Sequence, residues 1–383
     1  MRSTHYPPPG DTMRDRHSTA ASRRAARVLA TLLGLIGALL APGPVSAAQT
    51  APGTSATGHA AAASLPTKLR GVNRSGTEFM CVQNRGIFDG PADNASIQAI
   101  KNWRANVVRV PLNEDCWLGI NGVNPAYSGA NYRDTISDYV SRLRQAGLHV
   151  ILELHWSSGV HIGIGSNCWA YASQCQKPMP NSDHTPDFWK SVASTFKSDQ
   201  AVVFDLFNEP FPNLVMFDPK ASWRCWRDGG SACIGFLYPV AGMQTLVNAV
   251  RSTGATNYIM VGGINYSNDL SGWLTYAPSD PEGKLVASWH SYNFNSCNTQ
   301  SCWDSQIAPV AARYPLVVGE IGEDDCAHAY VDTLMNWLDS RDLGYLGWTW
   351  NTWDCKSGPS LITDYDGTPT AYGQGLKNRL ASG

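Results

Sequence analysis

The chain has 383 residues, of which 43% are hydrophobic and 16% charged, and its formal net charge is -2. That much apolar sequence excludes an intrinsically disordered chain, and the near-neutral balance excludes the electrostatic footprint needed to bind nucleic acid or an anionic membrane surface. Aromatic residues reach 10%, and many flat rings at low charge suit stacking on neutral ligands with apolar faces, such as sugars.

Residues Arg14 to Arg27 carry five Arg, and Val28 to Leu40 runs for thirteen residues without a charge before Ala-Pro-Gly-Pro-Val-Ser-Ala-Ala. A basic, an apolar and a small-residue segment in that order read as a secretion signal over residues 1–47, with cleavage expected after Ala47 or Ala48. The apolar run is shorter than the ~20 residues a membrane span wants. Once cut, the protein is expected to be extracellular, away from the membrane and monomeric. Arg23-Arg24 follows Ser22 as in a twin-arginine signal, but Ala-Ala follows in turn, so the export route stays open, and Met13 is an alternative start. Residues 48–66 are almost all Ala, Gly, Ser, Thr and Pro, the composition of a flexible linker. A single catalytic domain is expected over residues 67–383.

Within that domain, apolar runs recur at Leu69 to Asn73, Asn106 to Leu112, His149 to Trp156, Ala201 to Pro210, Tyr258 to Gly263, Leu285 to Tyr292, Pro315 to Gly322 and Gly344 to Asn351. Each is followed by a stretch with helical spacing. Eight buried strands alternating with helices predict a parallel sheet closed as an α/β fold, the (β/α)8 or TIM barrel. The open doubly wound sheet is the alternative, but no GxGxxG follows the first strand. The segments Ser157 to Asp187 and Phe211 to Phe236, rich in Trp and Cys, then become loops on the C-terminal face, where barrels build their active sites.

Two carboxylates stand at strand ends, Glu209 closing the fourth run and Glu320 closing the seventh. A barrel sets these strands on opposite walls of one mouth, where one carboxyl can protonate a leaving oxygen while the other, ionised, attacks an anomeric carbon. Asn208-Glu209-Pro210 on strand 4, with Glu320 on strand 7, resembles glycoside hydrolase family 5, the cellulase family, a retaining clan that shares this barrel. The resemblance covers the domain from Leu69 onward. It implies that Glu209 is the acid/base and Glu320 the nucleophile, and that Arg109 in Val-Val-Arg-Val-Pro keeps the nucleophile ionised. It implies further that His155 contacts the sugar beside the scissile bond, that Asn208 binds its 2-hydroxyl, and that His290 and Tyr292 flank the acid/base and the nucleophile. Trp350 is expected to stack on the sugar ring in the cleaved subsite, with Trp348 packed more deeply. Of Trp117, Trp156, Trp169, Trp223, Trp226 and Trp353, some are expected to pave flanking subsites.

The pattern departs from the family where Glu153 replaces the Asp common two residues before the strand 3 His, and in the charged segments Asn73 to Glu78 and Asn113 to Trp117. These concern the substrate rather than the reaction. An endo-β-1,4-glucanase acting on a neutral polysaccharide or oligosaccharide is expected. Mannan, β-1,3- or β-1,6-glucan, or exo action on small glycosides are the alternatives, and a non-catalytic carbohydrate-binding barrel is the remote one. No cofactor and no metal are expected, since no CxxC or HExxH occurs, and Glu323-Asp324-Asp325 reads as a solvated acidic loop. Asn73, Asn94 and Asn265 stand in glycosylation sequons. Ten Cys in an exported chain read as a disulfide framework. Cys168 with Cys175, Cys225 with Cys233 and Cys297 with Cys302 lie close enough to staple single loops. Cys81 with Cys116 and Cys326 with Cys355 are then a guess, because connectivity cannot be read from sequence.

Overall fold

In a buried parallel strand successive side chains alternate between the barrel interior and the helices outside, so a run of Val, Ile and Leu must fill both sides. The computed structural model, which describes residues 68–165, 167–356 and 358–382, builds eight such strands. They are β1 (Arg70–Asn73), β2 (Val107–Asn113), β3 (His149–Trp156), β4 (Val202–Asp205), β5 (Ile259–Gly262), β6 (Leu285–Tyr292), β7 (Leu316–Gly322) and β8 (Gly344–Gly347). Each pairs in parallel with its sequence neighbours, and β8 closes on β1. This is the (β/α)8 barrel expected from the sequence. The expected signal segment and linker lie outside the described residues.

The alternation is visible in the core. Leu69, Val107, Ile151, Val203, Met260, Val286, Val317 and Leu346, one from each strand or its first flanking residue, form a separate apolar cluster that plugs the barrel. Two residues further along each strand, the inward positions are Gly71, Arg109, Glu153, Asp205, Gly262, Ser288, Gly319 and Trp348. The layer above the plug is therefore largely polar and holds three glycines, at each of which a Cβ would stand within 3 Å of a neighbouring atom. Outward residues of the same strands, such as Val108, Leu152, Phe204 and Val318, join the larger core beneath the helices. Helix Ala130–Gln145 shows the match, burying Ile136, Tyr139, Val140 and Leu143 along one face.

Five disulfides join all ten cysteines, and all lie in segments that follow barrel strands. Cys81–Cys116 ties the loop after β1 to the loop after β2, and Cys326–Cys355 ties the loop after β7 to that after β8. Cys168–Cys175, Cys225–Cys233 and Cys297–Cys302 each close one loop. Among the described residues no helix is long and apolar enough to cross a membrane.

Two strands end earlier than the sequence suggested. β4 stops at Asp205 rather than Pro210, and β8 at Gly347 rather than Asn351. Beyond Asp205 the backbone leaves the ladder: Leu206 N–H bonds the Met260 carbonyl of β5, while Asn208 N–H bonds the Leu154 carbonyl of β3. Beyond Gly347, Trp348 N–H bonds Ile321 on one side and Trp350 N–H bonds Asn73 on the other. Apolar residues continue past both ends because Leu206, Phe207 and Trp350 still pack into the larger core, so hydrophobicity overstates the strand.

Candidate active site

Glu320 lies within β7 and is turned into the mouth by an irregularity in the ladder to β6: Trp289 pairs with Val318, but His290 pairs with Glu320. The skipped residue is Gly319, where a Cβ would stand 2.9 Å from His290 Nε2 and 3.0 Å from Ser288 Oγ. Glu209 stands four residues beyond β4 with a left-handed φ of 48°, an unusual conformation for a side chain of that size. From these places Glu209, Glu320 and His290 bring one polar atom each to within 4.8 Å of one another.

Glu320 is held by two donors. Arg109 Nη1 donates to its Oε1 at 2.8 Å and the Tyr292 hydroxyl donates to its Oε2 at 2.5 Å. Arg109 is fully buried and spends its other donors on Asp205 Oδ2 (2.9 Å), Asn73 Oδ1 (2.9 Å) and Asn208 Oδ1 (3.1 Å), with Glu153 Oε2 3.6 Å away. Burial opposes its charge, but Glu153, Asp205 and Glu320 outweigh that and raise its pKa. One buried cation thus organises four acids and amides. Burial and the Glu320 charge push the Tyr292 phenol well above its ordinary range, so it remains a donor.

Glu209 has different company. His290 Nδ1 lies 3.0 Å from its Oε1, and Gln176, from the loop after β3, donates to its backbone carbonyl at 3.0 Å and reaches Oε2 at 3.5 Å. Burial raises its pKa to about 7, against the opposing pull of His155, the Gln176 bond and Arg109. His290 is lowered to about 4, chiefly by burial, and is therefore a neutral imidazole at the pH where Glu209 titrates. The carboxyl keeps 18% of its side-chain surface open, so it is both protonatable and reachable.

Beside this pair, His155 shares a 2.9 Å hydrogen bond with Glu153 through Nδ1, and its Nε2 lies 3.4 Å from Asn208 Nδ2. Burial lowers the pKa of His155 and raises that of Glu153 well above the usual carboxyl range. The ring of Trp348 stacks on His155, with centroids 5.3 Å apart and planes 10° apart. Trp350, expected at the sugar, is instead fully buried and packs edge-on against Trp103 at 4.8 Å. The two-residue alternation that would have put both tryptophans on one face ends with β8 at Gly347. Trp348, not Trp350, lines the mouth.

Arg109, His155, Asn208, Glu209, His290, Tyr292 and Glu320 thus converge. Trp117, Trp223 and Trp226 do not, being buried beneath the loops, whereas Trp169 is 72% exposed on the loop after β3. Trp156 clusters with Phe79, Met80 and Trp353 between the loops after β1, β3 and β8. Sequence reasoning missed Asp205, Asn73 and Gln176. A charged residue inside an apolar run signalled Asp205, but nothing local marked Gln176, which reaches the site from a loop. Glu78, on the loop after β1, is also buried, accepts from Gly76 N–H at 2.6 Å and is raised to about 7 mainly by burial. The Glu209, His290 and Glu320 atoms are also the one group among the described residues that could hold a metal ion.

The family model described as cellulase (glycosyl hydrolase family 5) matches residues 62–354. The chain is similar to a mannan endo-1,4-beta-mannosidase from Streptomyces lividans, 26% identical over 74% of this chain and 61% of that protein. It is also similar to the manganese dependent endoglucanase Eg5A of Phanerodontia chrysosporium, 25% identical over 64% of this chain and 60% of that one. The chain thus spans about three fifths of the length of these two relatives. In three dimensions it resembles the beta-glucanase SdGluc5_26A of Saccharophagus degradans, with a TM-score of 0.60 at 20% identity over 82% of this chain and 88% of that one.

Proposed function

The chain belongs to the cellulase family, glycosyl hydrolase family 5, and from that premise we propose that it is an extracellular endo-β-1,4-glucanase that hydrolyses β-linked polysaccharide with retention of configuration. The observation that carries this reading is the approach of Glu209 and Glu320, with polar atoms within 4.8 Å in unlike surroundings. Retaining enzymes hold their carboxyls about 5–5.5 Å apart and inverting ones about 6.5–9.5 Å. The disulfide framework supports folding in an oxidising compartment.

In the first step Glu209, protonated below about pH 7, gives its proton to the glycosidic oxygen. A Glu320 oxygen attacks the anomeric carbon, the bond to the leaving sugar breaks, and a glycosyl ester forms. In the second step Glu209, now a carboxylate, takes a proton from water, whose oxygen displaces Glu320 and restores both groups. The two carboxyls and one water account for every proton and electron pair. Arg109 and Tyr292 donate to the two oxygens of Glu320 and aim it, Asn208 is read as the partner of the 2-hydroxyl, and Trp348 as the ring behind the sugar on the His155 side.

Reducing-sugar release on carboxymethylcellulose, mixed-linkage glucan, galactomannan and β-1,3- and β-1,6-glucans tests the reading, with Glu320→Gln as the blank. Release from the first two alone is expected, and the first product should be the β-anomer by NMR. Release from galactomannan alone would instead favour mannan, a second reading motivated by the Streptomyces lividans relative. Binding without turnover on the whole panel would defeat both.

A further inference from the structure

Glu209 stands between Asn208 and Pro210 with a left-handed φ of 48°, and a proline pushes the residue before it toward extended backbone. The conformation is unfavourable on both counts and persists only where its surroundings impose it. The neighbours of Glu209 are held by backbone: Asn208 N–H donates to the Leu154 carbonyl at 2.9 Å, and the Pro210 carbonyl accepts from Tyr266 N–H at 3.0 Å. The peptide between them is held by a side chain. Gln176 Nε2 donates to the Glu209 carbonyl at 3.0 Å and reaches the Asn208 carbonyl and Glu209 Oε2, each at 3.5 Å. One amide thus meets both the backbone and the carboxyl of the same residue.

The loop after β3 delivers Gln176 and is itself firmly anchored. Phe211 N–H donates to the Pro178 carbonyl at 3.0 Å, so this stretch of the loop runs along the segment that carries Glu209. Cys168–Cys175 closes the loop immediately before Gln176. Further back the loop hangs on two fully buried acids at the start of the helix Glu114–Leu118. Glu114 Oε1 accepts from Ser158 N–H at 2.9 Å and from Asn181 Nδ2 at 2.6 Å, and Asp115 Oδ2 accepts from Ser173 N–H at 2.8 Å. Lys177, equally buried, sets its charge toward both acids and donates to the Ala172 carbonyl at 3.2 Å. The beginning, middle and end of the loop are therefore tied to the charged segment after β2.

We propose that Gln176 is the positioning residue of the acid/base: its amide fixes the peptide after Glu209 so that the carboxyl points at the departing oxygen, and Glu114 and Asp115 anchor the loop that brings it there. With Asn208 and Pro210 pinned on either side, the freedom left to Glu209 is rotation of that peptide, which turns the Cα–Cβ bond with it. A proton donor works only within hydrogen-bond reach of the atom it serves, and a misplacement of about 1 Å costs on the order of 100-fold in rate. The acids after β2, which take no part in the reaction, then have a function as the foundation of the proton donor. The proposal rests on the glycosidase reading above.

Two substrates with leaving groups of one ring each separate aim from mere support. Phenyl β-cellobioside needs a proton on its departing oxygen, whereas 2,4-dinitrophenyl β-cellobioside releases a stable anion that needs none. With Gln176→Met, which keeps the length of the side chain and removes the donor, kcat/KM on the phenyl glycoside is expected to fall about 10- to 100-fold relative to that on the dinitrophenyl glycoside. Gln176→Glu, closer still in shape and available if the methionine variant does not fold, should shift the ratio in the same direction, since an ionised carboxyl cannot donate to the Glu209 carbonyl. An unchanged ratio overturns the proposal, whether neither rate falls or both fall together; the second result would make Gln176 a support for the loop and nothing more. Wild-type protein inert toward both glycosides, and toward the corresponding β-mannobiosides, would instead refute the glycosidase reading.

Discussion

Tyr292 donates to Glu320 at 2.5 Å across the β6–β7 ladder, although the residue paired with Tyr292 is Gly322 and not Glu320. The bond runs diagonally because the register shift before His290 carries Glu320 into the mouth while the phenol reaches back along the neighbouring strand. Tyr292→Phe removes a donor from the attacking carboxylate and leaves the ring in place, where it stacks on Phe294 at 5.1 Å. A loss of about 10- to 100-fold in kcat is expected, with little change in Tm, on the scale of losing one aimed donor at a reacting oxygen. Steady-state kinetics beside a thermal melt check it; a lower Tm with unchanged kcat would make the bond structural only.

Glu320→Gln keeps the side-chain shape but cannot attack carbon. Turnover should fall by about three orders of magnitude or more, with an unchanged circular dichroism spectrum. Glu209→Ala should behave differently, losing most activity on polysaccharide while retaining far more on β-cellobiosyl fluoride, whose leaving group needs no proton. Similar losses on both substrates would exchange or cancel the two assignments.

The pH profile follows from burial of Glu209. Its pKa is raised from 4.5 to about 7, so the proton donor is present below that value, and kcat/KM should fall as pH rises through about 7. The sign for stability is the same: burial favours the protonated form, so the folded state loses stability between pH 4.5 and about 7 as this carboxyl ionises. Glu209→Gln should therefore gain stability relative to wild type at pH 8 but not at pH 4, on the order of 3 kcal/mol. Denaturant melts at the two pH values measure it, and an equal difference at both would refute the shift.

The two strand 8 tryptophans should separate by phenotype. Trp350 is fully buried against Trp103, so Trp350→Ala should cost about 3–5 kcal/mol of stability. Trp348 faces His155 in the mouth, so Trp348→Ala should lower kcat/KM on oligosaccharides more than about tenfold. The reverse pattern would restore the original expectation for Trp350.

Cys81–Cys116 and Cys326–Cys355 close the longest intervals of the five disulfides, with separations of 35 and 29 residues. Chain-entropy reasoning assigns each about 3–4 kcal/mol. Replacing either pair by Ser should lower Tm and also impair activity, since both bonds pin loops of the mouth. An unaltered Tm would show that the barrel alone holds those loops.

Much of this protein is determined by sequence acting locally. Apolar runs of Val, Ile and Leu separated by helical spacing call for a parallel sheet buried on both faces, and eight such units without a GxGxxG after the first point to the closed barrel over the open doubly wound sheet. Glu209 and Glu320 are legible because each is a carboxylate toward the C-terminal end of an apolar run, and on a barrel such ends lie at the mouth. His290 and Tyr292 share a face by the two-residue period, whereas Arg109 and His155 are legible through the resemblance of their strand motifs to the family.

Where the ladder ends, that period carries no information, and only the folded chain decides. Trp348 and Trp350 part company because β8 stops at Gly347. Glu209 owes its direction to a left-handed backbone beyond β4, and Glu320 to a skipped rung at Gly319. Gln176 and Tyr266 arrive from loops distant in sequence, held by hydrogen bonds to the backbone at Glu209 and Pro210. These contacts depend on which segments meet across the mouth, and no spacing within one strand or loop encodes such a meeting.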